Sequence, residues 1–185
     1  MSNNEFRLPG WLDLLLTLAC TLALVFFIRT FIAETYEVPS GSMLETIQIG
    51  DRLVGEKVSL HWRKPQPGDV VTFDDPDGSG VTLIKRVIAT EGQMVDLQDG
   101  SLVVDGQVQN EDYTLGKPSY PLDRHAANLN EDVSYPFTVP EGEIWVMGDN
   151  RTNSSDSRYF GSVPVSSVTS IAKFIFWPMA DAKLL

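Results

Sequence analysis

The stretch GVTLIKRVIAT, residues 80–90, decides the fold. Its β-branched and apolar residues suit a pleated strand, and turn residues bound it. Working outward, similar runs appear as DRLVGEKVSL (51–60), GDVVTF (68–73), QMVDLQDGSLVVDGQVQ (93–109), YPFTVPEGEIWVMGDN (135–150) and VTSIAKFIFWP (168–178). Pro-Gly, Asp-Gly and Gly-Asp pairs punctuate them. Together they predict a mostly β domain, a curled antiparallel sheet or barrel. The segment LQDGSLVVDGQ predicts a hairpin around Asp99-Gly100 and a second turn at Asp105-Gly106. Residues 111–138 are polar, carry Pro118, Pro121 and Pro136, and predict a long loop or small insertion.

Upstream the pattern changes. LLLTLACTLALVFFI (14–28) carries no charge, and the window Trp11–Ala33 is interrupted only by Asp13 and Arg29 near its ends. As a helix it would span about 34 Å, enough for a hydrocarbon core of about 30 Å. A cleaved secretory signal is the competing reading, but its start would be basic, and here Arg7 stands against Glu5. Bulky Phe31 also precedes Ala33 by two and spoils a small-x-small cleavage site. The expected organisation is a short tail (1–10), a transmembrane anchor (11–33) and a β-rich domain (34–185). Arg7 and Arg29 balance, so the charge count does not orient the span.

The chain has 185 residues, 43% of them apolar and 21% charged, a globular profile. The net charge of −11 falls on the domain, because Glu5 and Asp13 cancel Arg7 and Arg29 in the first segment. An acidic domain repels nucleic acid and anionic headgroups, which argues against a nucleic-acid partner. The one cysteine, Cys20, lies in the apolar run and reads as a small hydrophobe.

Three segments carry chemistry: PSGSM (39–43), LIKRVIATEG (83–92) and GDNRTNSSDSRYFGSVP (148–164). A serine on a tight glycine-containing turn exposes its hydroxyl while backbone N–H groups converge on one point, as acyl transfer requires. A serine nucleophile needs a base. His61 and His125 lie in polar settings without a nearby motif, though either could complete a triad in space. Lysine serves instead where an apolar site lowers its pKa. Lys85, between Val81–Ile84 and Val87–Ala89, has such neighbours, while Arg86 would point to the opposite face. A strand-edge lysine facing water is the plain alternative. The third segment packs Asp149, Asn150, Arg151, Asp156 and Arg158 into ten positions, a loop able to hold itself by Asx turns and Asp–Arg pairs. There is no HExxH, no cysteine or histidine cluster, and hence no expected metal or cofactor.

An anchor, PSGSM, the GDVV strand (Gly68–Val71), IKRV and GDNRxNSxDSR, in that order, resemble the bacterial type I signal peptidases, in particular the compact single-anchor enzymes of Gram-positive bacteria. The resemblance implies a membrane-bound serine endopeptidase that cleaves signal peptides from exported preproteins through a Ser/Lys dyad and an acyl-enzyme. It implies Ser42 as nucleophile and Lys85 as general base, with Ser40 beside the Ser42 N–H in the oxyanion hole and Ser154 orienting Lys85. Asp149, Arg86, Asp156 and Arg158 would form a structural charge network. Val38, Met43 and Ile84 would line shallow pockets for the small residues of a substrate bound as an added strand. The partners implied are signal peptides and the lipid bilayer, with the domain outside the cytoplasmic membrane. The second domain of larger relatives would be reduced to residues 93–140. Trp62, Phe174, Phe176 and Trp177 read equally as membrane contacts or core. Two other readings stand beside this one: an anchored β-domain that binds a peptide without cutting it, and a Ser–Lys self-cleaving repressor, which would need an amino-terminal DNA-binding domain.

Overall fold

The computed structural model describes residues 9–127, 129 and 132–185, so most of the expected tail lies outside the described residues. Helix α1 (Gly10–Phe27) continues as a π-helical turn over Ile28–Ile32. The two form a 23-residue apolar rod, Gly10–Ile32, with mean hydropathy 2.3 and no buried residue, long and apolar enough to cross a membrane. Its two threonine hydroxyls are satisfied within the helix, Thr17 donating to Asp13 O and Thr21 to Thr17 O, each at 2.8 Å. Polar side chains in an apolar medium need such partners.

Among the described residues twelve strands follow: β1 (Ala33–Glu37), β2 (Arg52–Glu56), β3 (Val70–Asp74), β4 (Thr82–Thr90), β5 (Met94–Gln98), β6 (Ser101–Val104), β7 (Gln107–Val108), β8 (Phe137–Thr138), β9 (Glu143–Met147), β10 (Val163–Pro164), β11 (Val168–Trp177) and β12 (Lys183–Leu184). A single helical turn, α2 (Ser157–Phe160), precedes β10. The main sheet runs β1-β2-β11-β3-β4-β9-β10, with β12 on β11, and every pairing given is antiparallel. It is a mostly β fold with one apolar amino-terminal helix. The sheet curls but stays open, since β1 and β10 end its path without pairing.

Strand β4 forms where the GVTLIKRVIAT pattern predicts it and is the spine of the molecule. It pairs Val71 with Lys85 on one side and Arg86 with Met147 on the other. A register shift between Val87 and Ala89 adds one residue, a β-bulge that re-aims the strand. Val87 accordingly joins one core cluster with Val71, Ile144 and Ile171, while Ile88 and Ala89 join another with Val95, Leu102 and Trp145. The second cluster binds the main sheet to a small sheet ordered β7-β6-β5-β8. Its hairpins turn at Asp99-Gly100 and Asp105-Gly106, all four with positive φ, the type I′ signature read in the sequence.

One expectation needs correction, one strand was not foreseen, and one open reading is decided. The strand expected to run to residue 60 ends at Glu56, and Ser59–His61 form a 3-10 turn, the Glu56 carboxylate accepting from the Ser59 N–H at 2.9 Å. Strand β1 had no apolar signature: AETYE is charged and half exposed, and only its antiparallel pairing with β2 makes it a strand. Trp62, Phe174, Phe176 and Trp177 are exposed rather than in the core.

Trp145 is fully buried, with Tyr135 edge-on at 6.0 Å and Phe137 at 4.8 Å between ring centroids. Trp145→Ala should cost about 3–5 kcal/mol in urea unfolding of the detergent-solubilised protein. A loss below about 1 kcal/mol would mean that the two sheets do not depend on this shared cluster.

Candidate active site

The connection from β1 to β2, Val38–Asp51, carries PSGSM and is tied at its base. Val38 N–H donates to Asp51 O (2.9 Å) and Gly50 N–H to Val38 O (2.8 Å). Asp51 also accepts from the Gln48 N–H at 2.8 Å. Val38 before the turn, and Met43 and Ile47 within it, are buried in one core cluster with Leu53, Val70 and Ile175, so the turn that follows Gly41 is anchored by apolar burial. Ser42 stands on that turn.

Across from it, Lys85 projects from β4 between Leu83 and Val87 on the same strand face. Its Nζ lies 2.9 Å from Ser42 Oγ and donates to Ile84 O at 3.0 Å. Lys85 is 3% exposed and Ser42 8%. Burial pushes the Lys85 amine down to about 8, against the pull of the Asp156, Asp149 and Asp75 carboxylates. Neither histidine serves Ser42: His61 Nδ1 meets Lys57 O at 3.1 Å, and His125 Nδ1 pairs with Asp132 at 2.9 Å.

The third segment closes the site from behind. Gly148 packs so tightly that an added Cβ would collide with Ser42 O and the Ser154 side chain, which explains a glycine there. Asp156, fully buried, caps α2 by accepting from the Arg158 N–H, accepts from the Gly148 N–H at 3.0 Å, and pairs with the Arg158 guanidinium at 2.9 Å. Burial alone would raise its pKa, but Arg158 and the Gly148 N–H hold it below the ordinary carboxylate value. Asp149 takes a bidentate pair from Arg86, Nε at 2.9 Å and Nη2 at 2.6 Å. The acids that face Lys85 from this segment are therefore already neutralised by arginines.

The structure thus brings Ser42, Lys85, Asp149, Arg86, Asp156 and Arg158 together. Ser40 is exposed, two residues before Ser42. Ser154 is buried close to the Asp156 carboxylate, yet its hydroxyl makes no hydrogen bond of acceptable geometry, and Lys85 is held by other groups. Val38 and Met43 are buried in the cluster beneath the turn, and Ile84 is partly buried against it.

A third ion pair escaped the sequence reading. Arg151, 1% exposed, is bound bidentately by Glu111, and donates to Ser119 Oγ (2.5 Å) and Gly148 O (3.0 Å). Tyr113 donates to Glu111 at 2.6 Å and lies under the Arg86 guanidinium, 4.2 Å from ring centroid to carbon. No local pattern marks Glu111, because its partner is 40 residues away along the chain.

The family model described as signal peptidase, peptidase S26, matches residues 11–177. The chain belongs to that family. Membership makes it a serine endopeptidase of the signal-peptide-cleaving kind. A probable signal peptidase I-1 of Synechocystis sp. is 42% identical over 171 residues, 89% of this chain and 80% of that one. A probable thylakoidal processing peptidase 2, chloroplastic, of Arabidopsis thaliana is 36% identical over 186 residues, 91% of this chain and 47% of that one, so this chain spans about half of its length. A crystal structure of a signal peptidase I from Enterococcus faecalis is similar at 32% identity and TM-score 0.44, covering 59% of this chain and 97% of that one.

Replacing Glu111 by alanine leaves the Arg151 guanidinium buried and unpaired. A loss of about 3–5 kcal/mol in urea unfolding is expected. A variant as stable as the parent protein would show that Arg151 finds another partner or water.

Proposed function

We propose that the chain removes signal peptides from exported preproteins through a Ser42/Lys85 dyad and an acyl-enzyme, held to the membrane by a single span over residues 11–33 with the domain on the extracytoplasmic side. The observation that carries the reading is the 2.9 Å approach of a buried lysine amine to Ser42 Oγ. Water is the strongest competitor for an ammonium, and its exclusion makes the neutral amine available near neutral pH.

Neutral Lys85 takes the Ser42 hydroxyl proton as Oγ bonds to the scissile carbonyl carbon, and the carbonyl electrons move onto its oxygen. The Ser42 N–H and the Ser40 hydroxyl stabilise that oxyanion. The Lys85 ammonium returns the proton to the departing amine as the C–N bond breaks, leaving an ester on Ser42. Lys85 then takes a proton from water as the water oxygen bonds to the ester carbon, and returns it to Ser42 Oγ as the Oγ–C bond breaks, which frees the acid and restores the Ser42 hydroxyl and the neutral amine. Ser154, whose buried hydroxyl has no other partner, is available to hold the Lys85 ammonium. The arginine-paired carboxylates Asp149 and Asp156 fix the loop without quenching the base.

Val38, Met43 and Ile84 fill the space beneath the Ser42 turn, and pockets floored by such side chains admit only small residues. The substrate lies beside them as an added strand. Exposed Trp177, Phe176 and Phe174 on β11 suit the interfacial region of a bilayer, where the substrate is also embedded. No metal or cofactor takes part in these steps.

Ser42→Ala and Lys85→Met should each lower cleavage of a purified preprotein by detergent-solubilised protein by about 1,000-fold or more. A lysine variant as active as the parent would discard Lys85 as the base. Because the base must be neutral and its pKa is about 8, kcat/KM should fall about tenfold per pH unit below pH 8 and level off above it. A rate that is flat between pH 6 and 9, measured at limiting substrate, would contradict this assignment.

A further inference from the structure

Asn150 makes two hydrogen bonds to the serine turn that none of the steps above uses. Its side-chain Nδ2 donates to Gly41 O at 2.8 Å, in a buried position. Its backbone N–H donates to Ser42 O at 3.0 Å. The residue is 7% exposed and sits where β9 has ended and the 3-10 turn Arg151–Asn153 begins. The carbonyls on both sides of Ser42 are thus held by one residue from a distant segment.

The two contacts have a directional consequence. The Gly41–Ser42 peptide is trans, so its C=O and N–H point in opposite directions. Fixing Gly41 O toward Asn150 turns the Ser42 N–H the other way, away from the 148–150 segment. That N–H donates to no group among the described residues. Among the described residues the other hydrogen bond to Gly41 O is a longer one, from the Leu44 N–H at 3.3 Å. Gly41 has no Cβ to brace this peptide from its own side, and a turn of Gly and Ser could rotate it at little cost. Rotation would remove the N–H from the oxyanion, whereas the Ser42–Lys85 contact, which depends on the side chain, would persist.

We infer that Asn150 is a positioning residue that aims the Ser42 backbone N–H at the oxyanion by anchoring the carbonyls of Gly41 and Ser42. The inference rests on the reading of Ser42 as nucleophile. It assigns to Asn150 a role in transition-state stabilisation, without contact with the substrate and without influence on the base.

The test uses the full-length, detergent-solubilised protein and Asn150→Leu, which keeps the volume and removes the donor. The expected result is a fall in kcat of about 10- to 100-fold, somewhat less than deletion of an oxyanion donor, with KM changed less than about threefold. The pH midpoint should stay at about 8, because Lys85 keeps its surroundings. A peptide aldehyde, which forms an oxyanion on Ser42, should lose affinity in proportion to kcat, while a non-covalent substrate-like peptide should not. Unchanged kcat overturns the inference, as does equal loss of aldehyde and peptide binding or a displaced midpoint. If Asn150→Leu does not fold, Asn150→Ala is measured in the same way. If neither folds, the through-hydrogen-bond NMR coupling between Asn150 Nδ2 and the Gly41 carbonyl carbon in the unsubstituted protein decides. Its persistence in the aldehyde adduct supports the inference, and its loss there overturns it. Ser42→Ala in parallel separates the two levels: a cleaving Ser42→Ala protein refutes the nucleophile itself, whereas an inactive one beside a fully active Asn150→Leu refutes only the role of Asn150.

Discussion

Keeping one amine dry is the constraint on which the rest of the structure turns. Lys85 Nζ lies 2.9 Å from Ser42 Oγ with the side chain 3% exposed. A fall of the amine pKa from 10.5 to about 8 corresponds to about 3 kcal/mol against the ammonium form. That cost is fully present in the folded state below pH 8. It is relieved between pH 8 and 10.5, where the unfolded chain still holds the proton and the folded one does not, so stability rises with pH through this window. Chemistry at the site is obtained at the expense of stability, and the surrounding clusters supply what is lost.

The carboxylates near Lys85 show how narrow the margin is. Asp156 and Asp149 both favour the ammonium. Arg158 and Arg86 pair with them, and Arg151 is pinned by Glu111 from beyond the small hairpin sheet. The arginines are themselves held, Arg86 over Tyr113 and Arg151 by Ser119 and Gly148 O. Three ion pairs thus keep a charged loop compact beside a buried amine whose pKa is lowered.

The same loop also holds the other half of the site. Gly148 allows the backbone to touch Ser42 O, and Asn150 bonds the Gly41 and Ser42 carbonyls. Lys85 comes from strand β4 and Ser42 from the β1–β2 connection, and this loop bonds the Ser42 turn. Register then matters: the bulge at Ile88 lets one strand present Val87 to one cluster and Ile88 and Ala89 to another.

Much of this was legible in the sequence. Period and turn residues determined the apolar helix, the β class and the Asp-Gly hairpins, because each depends on neighbours within a few positions. A lysine among apolar residues, a serine on a glycine turn and a loop dense in Asp and Arg were each ambiguous alone, and only their combined order, by its resemblance to a family, pointed to a candidate site. The sequence left open whether the sheet closes, that AETYE is a strand, and that Trp62 and the β11 aromatics are exposed. It did not reveal Glu111 and Tyr113, or Asn150 as the residue gripping the serine turn. Glu111 meets Arg151 40 positions away, Asn150 meets Gly41 109 positions away, and Tyr113 lies under Arg86 of β4. Only the folded chain decides which distant carbonyl, carboxylate or ring each of them meets, because hydrogen bonds and desolvation are set by distance in space and leave no periodic mark along the chain.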